Sequence, residues 1–175
     1  EAKVSPGFNE LRGTPVSIAV GESARDFRAP VDDRSDIRSM HFGGFKKCLF
    51  VTQKFDSDSE RRFSIILEDD PSVLKWFKPS NDRDIRTYLK DGSPYRPDFV
   101  VETTDRKFVG EVKMRKDMET AEVLEKASVA VTWCKHATEY ETQNGGKPWS
   151  YLLIPHDAIT ANMTLMGLVA QLVRN

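Results

Sequence analysis

Asp98, Glu111 and Lys113 are the residues whose types and spacing could do chemistry most plainly. Asp98 lies in Tyr95-Arg96-Pro97-Asp98-Phe99-Val100-Val101, and after a polar turn comes Phe108-Val109-Gly110-Glu111-Val112-Lys113. Phe99, Val100 and Val101 supply the aromatic and β-branched bulk of a strand, and 108–114 reads as its hairpin partner. If the hairpin turns about Thr104 and Asp105, Asp98 and Glu111 lie equally far from the turn centre and stand opposite each other. Their Cβ atoms are then about 5 Å apart. A longer loop, Thr104 to Lys107, sets Asp98 opposite Lys113 but on the same face, because side chains repeat every two residues. A three-residue loop separates them. Two adjacent carboxylates repel unless a cation lies between them, so a hard divalent ion with oxygen ligands completes the group, Mg2+ first and Mn2+ as a substitute. Lys113 is about 7 Å along the strand from Glu111. There it can orient or deprotonate an attacking water and offset charge developing on a phosphate.

The opposite face of the hairpin carries Phe99, Val101, Phe108, Val112 and Met114, a set that must be buried. Ser57 followed by Glu60 makes a capping box, and Phe63, Ile66 and Leu67 continue at helical spacing, which predicts a helix over 57–68. A longer helix is expected over 117–136, with Leu124, Ala127, Val131 and Cys134 on its inner stripe. Trp149 to Ile154 reads as a buried strand, and an amphipathic helix is expected from near Asn162. Val16 to Val20 and Ile85 to Leu89 read as short strands, Asp91-Gly92-Ser93-Pro94 as a turn, and 42–53 stays open between helix and strand. The whole is one α/β domain: a central mixed sheet built around the hairpin and flanked by the two helices. Residues 1–40 are a lead-in and 41–175 the domain itself.

The 175 residues, 39% hydrophobic, suffice for one domain with its own core. No apolar run approaches the roughly 20 residues of a spanning helix. With 26 basic and 27 acidic side chains there is no global field to attract a polyanion, so nucleic-acid binding must come from a local cluster. Cys48 and Cys134 stand alone, as reduced, buried thiols of a cytosolic protein do. Cys134 and His136 lie two apart on a helix and point apart, which sets zinc aside. The chain starts with neither Met nor a signal sequence, the expectation for a piece of a longer polypeptide.

Pro97-Asp98 followed by Glu111-Val112-Lys113 resembles the PD-(D/E)XK nuclease motif. The resemblance extends over about 42–158, through Phe55-Asp56-Ser57 leading to Glu60, Val73-Leu74-Lys75-Trp76-Phe77, and Lys126 with Trp133-Cys134. This order resembles the C-terminal endonuclease domain of type III restriction enzyme subunits and of related DEAD/DEAH-type helicase polypeptides. The resemblance implies a restriction-endonuclease-like core and Mg2+-dependent hydrolysis of DNA. It assigns Asp98, Glu111 and the Val112 carbonyl to the metal, Lys113 to the water, and Glu60 to the same site. It also implies a helicase or ATPase region as partner, with a modification subunit beside it, in the cytoplasm of a prokaryote. One-metal and two-metal schemes both stay open. So do an inactive DNA-positioning module and a nuclease acting on RNA or structured DNA.

Each residue has a plainer reading. Glu60 can serve its helix as a capping glutamate without a metal. Asp98, Glu111 and Lys113 can form a solvated hairpin face with a cross-strand ion pair. Lys46, Lys47, Arg61, Arg62, Lys75, Lys78, Arg115 and Lys116 lie near the site in sequence and are candidates for tracking phosphates, as is Lys126 through the resemblance, although scattered basic residues are more often merely solvated. Trp133 and Trp149 fit packing better than base stacking. Asp32-Asp33 and Asp69-Asp70 read as turn and cap residues.

Overall fold

The Ser57 hydroxyl accepts the Glu60 N–H at 3.2 Å, and helix α1 runs from there over Asp58–Asp69. The computed structural model describes residues 24–79, 87–89 and 91–174, so the expected strand at Val16 to Val20 lies outside the described residues. Three two-residue strands, β1 (Arg25–Asp26), β2 (Phe42–Gly43) and β3 (Thr52–Gln53), form a small sheet before and across the segment left open between helix and strand. After α1 come β4 (Val73–Phe77), the two-stranded pair β5 (Thr87–Tyr88) and β6 (Pro94–Tyr95), then β7 (Phe99–Thr103) and β8 (Lys107–Lys113). Helix α2 (Ala121–Gln143) leads to β9 (Trp149–Pro155), and α3 (Leu165–Leu172) to β10 (Val173–Arg174).

The main sheet has the order β10-β9-β8-β7-β4. It is mixed: β8 and β9 run parallel, joined through α2, and the other neighbours are antiparallel. One face, with Phe99, Val101, Phe108, Val112, Leu152 and Ile154, packs on α1 through Phe63, Ile66 and Leu67 and on α3 through Leu165, Leu168 and Val169. The other face presents Val109, Tyr151 and Leu153 to Val123, Ala127, Ala130 and Cys134 of α2. The molecule is therefore an α/β fold with a mixed sheet flanked by helices. Phe27, Val31 and Ile37 join the first core, so residues from the expected lead-in share it. Among the described residues no helix is long and apolar enough to cross a membrane.

Four expectations change. Met114, expected on the buried face of the hairpin, lies just past the end of β8 and is 47% exposed. Helix α2 starts at Ala121, because Thr120 caps it and Arg115–Asp117 forms a separate 3-10 turn. It runs on to Gln143, where the chain turns through Gly145 at φ 73°, a conformation open to glycine. Its inner stripe is Val123, Ala127, Ala130 and Cys134, and Leu124 is 45% exposed. In the tail, Thr164 rather than Asn162 caps the helix, accepting the Gly167 N–H at 3.1 Å, and Val173 leaves it to pair with Leu152. One member of each acidic pair is a turn or cap group: Asp33 caps a 3-10 turn, and Asp70 accepts from Ser72 and Leu165, whereas Asp69 pairs with Arg28 at 2.7 Å. Both thiols are free, and burial raises their pKa, to about 11 for Cys48 and about 12 for Cys134.

Candidate active site

The β7–β8 pairing runs from Phe99↔Gly110 to Glu102↔Lys107, and the Thr103 N–H donates to the Arg106 carbonyl at 2.9 Å. The turn therefore centres on Thr104 and Asp105, the register that sets Asp98 level with Glu111. Continued by two residues, it brings Pro97 opposite Val112. Proline has no N–H, so the ladder cannot continue, and the Val112 N–H goes instead to Asp98 Oδ2 at 2.9 Å. The Val112 carbonyl receives no hydrogen bond from Pro97. The proline thus ends the strand pairing at the residue where the carboxylate must turn inward.

Glu111 is 2% exposed and held on both oxygens. Its Oε2 accepts the Tyr95 hydroxyl at 2.5 Å and the Tyr151 hydroxyl at 3.1 Å, and Oε1 lies 2.8 Å from Lys113 Nζ. Tyr95 comes from β6, and Tyr151 stands on β9 level with Val109, on the same sheet face as Glu111. Burial raises both phenol pKa values, and Glu111 adds to this, so both hydroxyls keep their protons and donate to Glu111. Burial works to lower Lys113, but the charges of Asp98 and Glu111 outweigh it and hold this ammonium above the ordinary lysine value.

Glu60 is buried at the start of α1. Its Oε2 accepts the Asp56 N–H at 3.1 Å and lies 2.8 Å from Lys78 Nζ, which also meets Asp56 Oδ2 at 2.9 Å. The capping role is present in shifted form, since the glutamate reaches the residue before the cap. Burial, and after it the charge of Glu60, push the Asp98 carboxyl up to about 6, against the opposing pull of Lys78 and Lys113. Glu60, Lys78, Asp98, Glu111 and Lys113 thus form one electrostatic group.

Asp98, Glu111 and Lys113 line a cavity of about 850 Å³. Its other charged walls are Lys54, Asp56, Lys78, Arg96 and Lys126, so five cationic side chains face three acidic ones in a chain whose net charge is −1. This is the local basic surface that the composition alone could not locate. Lys46, Lys47, Arg115 and Lys116 lie outside the cavity lining. The backbone N–H groups of Lys46 and Lys47 bind Glu68, Arg115 pairs with Asp157 at 2.8 Å, and Lys116 is exposed. Tyr95, Tyr151, Lys54 and Arg96 were not singled out by sequence reasoning. Tyr95 had a signal, since it opens the motif segment; Tyr151 had none, because its approach depends on the parallel pairing of β8 with β9.

Among the described residues no three His, Cys, Asp or Glu side chains are arranged to cage an ion. The donor set that converges is two carboxylates, with a carbonyl that the hairpin ladder leaves without a proline donor. Such a sparse oxygen set fits Mg2+, which keeps several waters and is usually held by one or two carboxylates plus substrate phosphate oxygens. No protein-family model matches the chain, and no curated protein is significantly similar to it.

Proposed function

We propose that this chain is a restriction-endonuclease-like nuclease domain that hydrolyses DNA phosphodiester bonds with Mg2+, as part of a type III restriction or helicase–nuclease polypeptide. The observation that carries the reading is the convergence of Asp98, Glu111 and Lys113 on the wall of one cavity whose other charged side chains are mostly basic. The order of helix, antiparallel strands, helix and parallel strand supports it, since the hairpin then lies at the centre of a sheet covered on both faces.

Asp98, Glu111 and the Val112 carbonyl would hold the ion. When bound, Mg2+ supplies Lewis-acid stabilisation of charge on the phosphate and a water acidic enough to attack at neutral pH. The chain's own groups do the rest. Tyr95 and Tyr151 fix one oxygen of Glu111, which keeps its other oxygen toward Lys113 and the cavity. Lys113 donates toward the reacting water and offsets negative charge on the phosphate. Lys54, Arg96 and Lys126 face the cavity, where they can meet the flanking phosphates. Hydrolysis forms a bond from water oxygen to phosphorus and breaks the bond from phosphorus to the 3′ oxygen. The water gives up a proton, the leaving oxygen takes one, and the products are a 3′-hydroxyl and a 5′-phosphate.

The test is incubation of supercoiled plasmid with the chain in Mg2+, Mn2+ or EDTA, beside the Asp98→Asn variant. Nicking that needs metal and disappears in the variant is the expected result. DNA binding without cutting, in wild type and variant alike, would identify an inactive DNA-positioning module instead.

A further inference from the structure

Glu60 meets a cation of the chain's own. Its Oε2 lies 2.8 Å from Lys78 Nζ and 3.1 Å from the Asp56 nitrogen, and its Oε1 lies 3.5 Å from the Ser57 hydroxyl. The ammonium also reaches Asp56 Oδ2 at 2.9 Å and stands 5.9 Å from the Phe99 ring centroid. Its side chain is only 12% exposed, and it lines the same cavity as Asp98. Lys78 follows directly on β4, the neighbour of β7, so it enters from the Asp98 side, while Lys113 on β8 pairs with Glu111. Two lysines thus divide the acidic group between them.

Resting on the nuclease reading, we infer that Lys78 takes the place of a second metal ion. The site holds one divalent ion, on Asp98 and Glu111, and Glu60 is a positioning residue that holds Lys78. Charge supports this division. Against Lys78 and Lys113, the carboxylates of Glu60, Asp98 and Glu111 leave one negative charge in excess, and Asp56, which Lys78 also meets, has Arg38 and Arg96 near it as well. One divalent ion already more than neutralises that excess. A second, about 3.5–4 Å from the first as in two-metal sites, would stand against two ammonium groups in a partly desolvated cavity.

The experiment is calorimetric titration of the chain with Mn2+ in the absence of DNA. Wild type is expected to bind one ion. Lys78→Met keeps most of the stem and removes the charge, leaving Asp56, Glu60 and Asp98 without their shared cation, and is expected to bind two. Glu60→Gln is expected to keep one ion with an affinity change below about tenfold, less than the roughly 10–100-fold usual for a group that holds a metal ligand directly, because Glu60 holds Lys78 and not a ligand. Two ions in wild type, one ion in a Lys78→Met protein shown to be folded by circular dichroism, or a larger loss in Glu60→Gln overturns the inference. Should Lys78→Met not fold, the wild-type and Glu60→Gln titrations decide it alone. Absence of any binding to wild type, or wild-type binding that survives in Glu111→Gln, overturns the nuclease reading and the inference with it, whereas two ions in wild type overturn the inference alone.

Discussion

Glu68 and Glu111 are both buried glutamates, 8% and 2% exposed, yet their surroundings differ in kind. Glu68, near the end of α1, receives the N–H groups of Lys46, Lys47 and Cys48 at 2.8, 2.9 and 3.2 Å, and the Trp76 indole N–H at 2.8 Å. Every one of these donors is neutral and fixed by backbone or by ring packing, and Glu68 does not line the cavity. Glu111 has one oxygen fixed by two phenols and the other turned to a lysine on the cavity wall. The first carboxylate fastens the 46–48 segment and β4 to α1. The second is held firmly by one oxygen and meets Lys113 at the cavity wall with the other. A buried acid is therefore informative through its donors: a full set of neutral ones is a structural tie, and a cation at a cavity wall is what the proposed site requires.

The contrast breaks most sharply at the two carboxylates. Glu111→Gln should reduce DNA cleavage by more than about a thousandfold, about 4 kcal/mol of transition-state stabilisation, while its melting temperature stays close to wild type. Glu68→Ala should do the reverse. Leaving four donors without their acceptor is expected to lower the unfolding free energy by about 3–5 kcal/mol in urea titrations, with cleavage per folded molecule unchanged. A Glu68→Ala protein that is stable but inactive would erase the distinction.

The phenols sharpen it. Tyr95→Phe and Tyr151→Phe each remove one hydroxyl from Glu111 Oε2 and leave the ring packing in place. Each should weaken Mn2+ binding by about 10–100-fold, measured by calorimetry, the usual cost of losing a group that orients a ligand. An unchanged affinity in both would remove the tyrosines from the site.

The smallest effects concern the cationic walls. Arg96→Ala and Lys126→Ala should weaken duplex binding about equally across sequences, and each lost phosphate contact should reduce the slope of log affinity against log salt by about 0.9. Lys116→Ala, whose side chain lies outside the cavity, should leave that slope in place. Equal slopes for Lys116→Ala and Lys126→Ala would mean that the cavity does not define the DNA path.

What the sequence made legible was local. The capping box at Ser57 and Glu60 fixes the start of α1 within one residue, and the apolar run at 149–154 gives β9. For the hairpin the sequence left three turns open, and the structure selects the one centred on Thr104 and Asp105, which sets Asp98 level with Glu111. What escaped depends on distant parts of the chain meeting. Tyr151 reaches Glu111 only through the parallel β8–β9 pairing, and Lys78 reaches Glu60 only because β4 lies beside β7. Lys46 and Lys47 lie a few residues before Phe50, which lines the cavity wall, but Glu68 draws their backbone to the far end of α1. The stripe of α2 is offset from the expected one for a related reason: Leu124 and Val123 are both apolar, and only the sheet selects which of them is covered.

The most direct measurement is cleavage of an end-labelled duplex by wild type and by Glu111→Gln, in Mg2+ and at matched folded fraction. The account predicts metal-dependent products with 5′-phosphate ends from wild type and none from the variant. Equal cleavage by the two proteins would contradict it, because Glu111 would then be a buried acid of the same structural kind as Glu68.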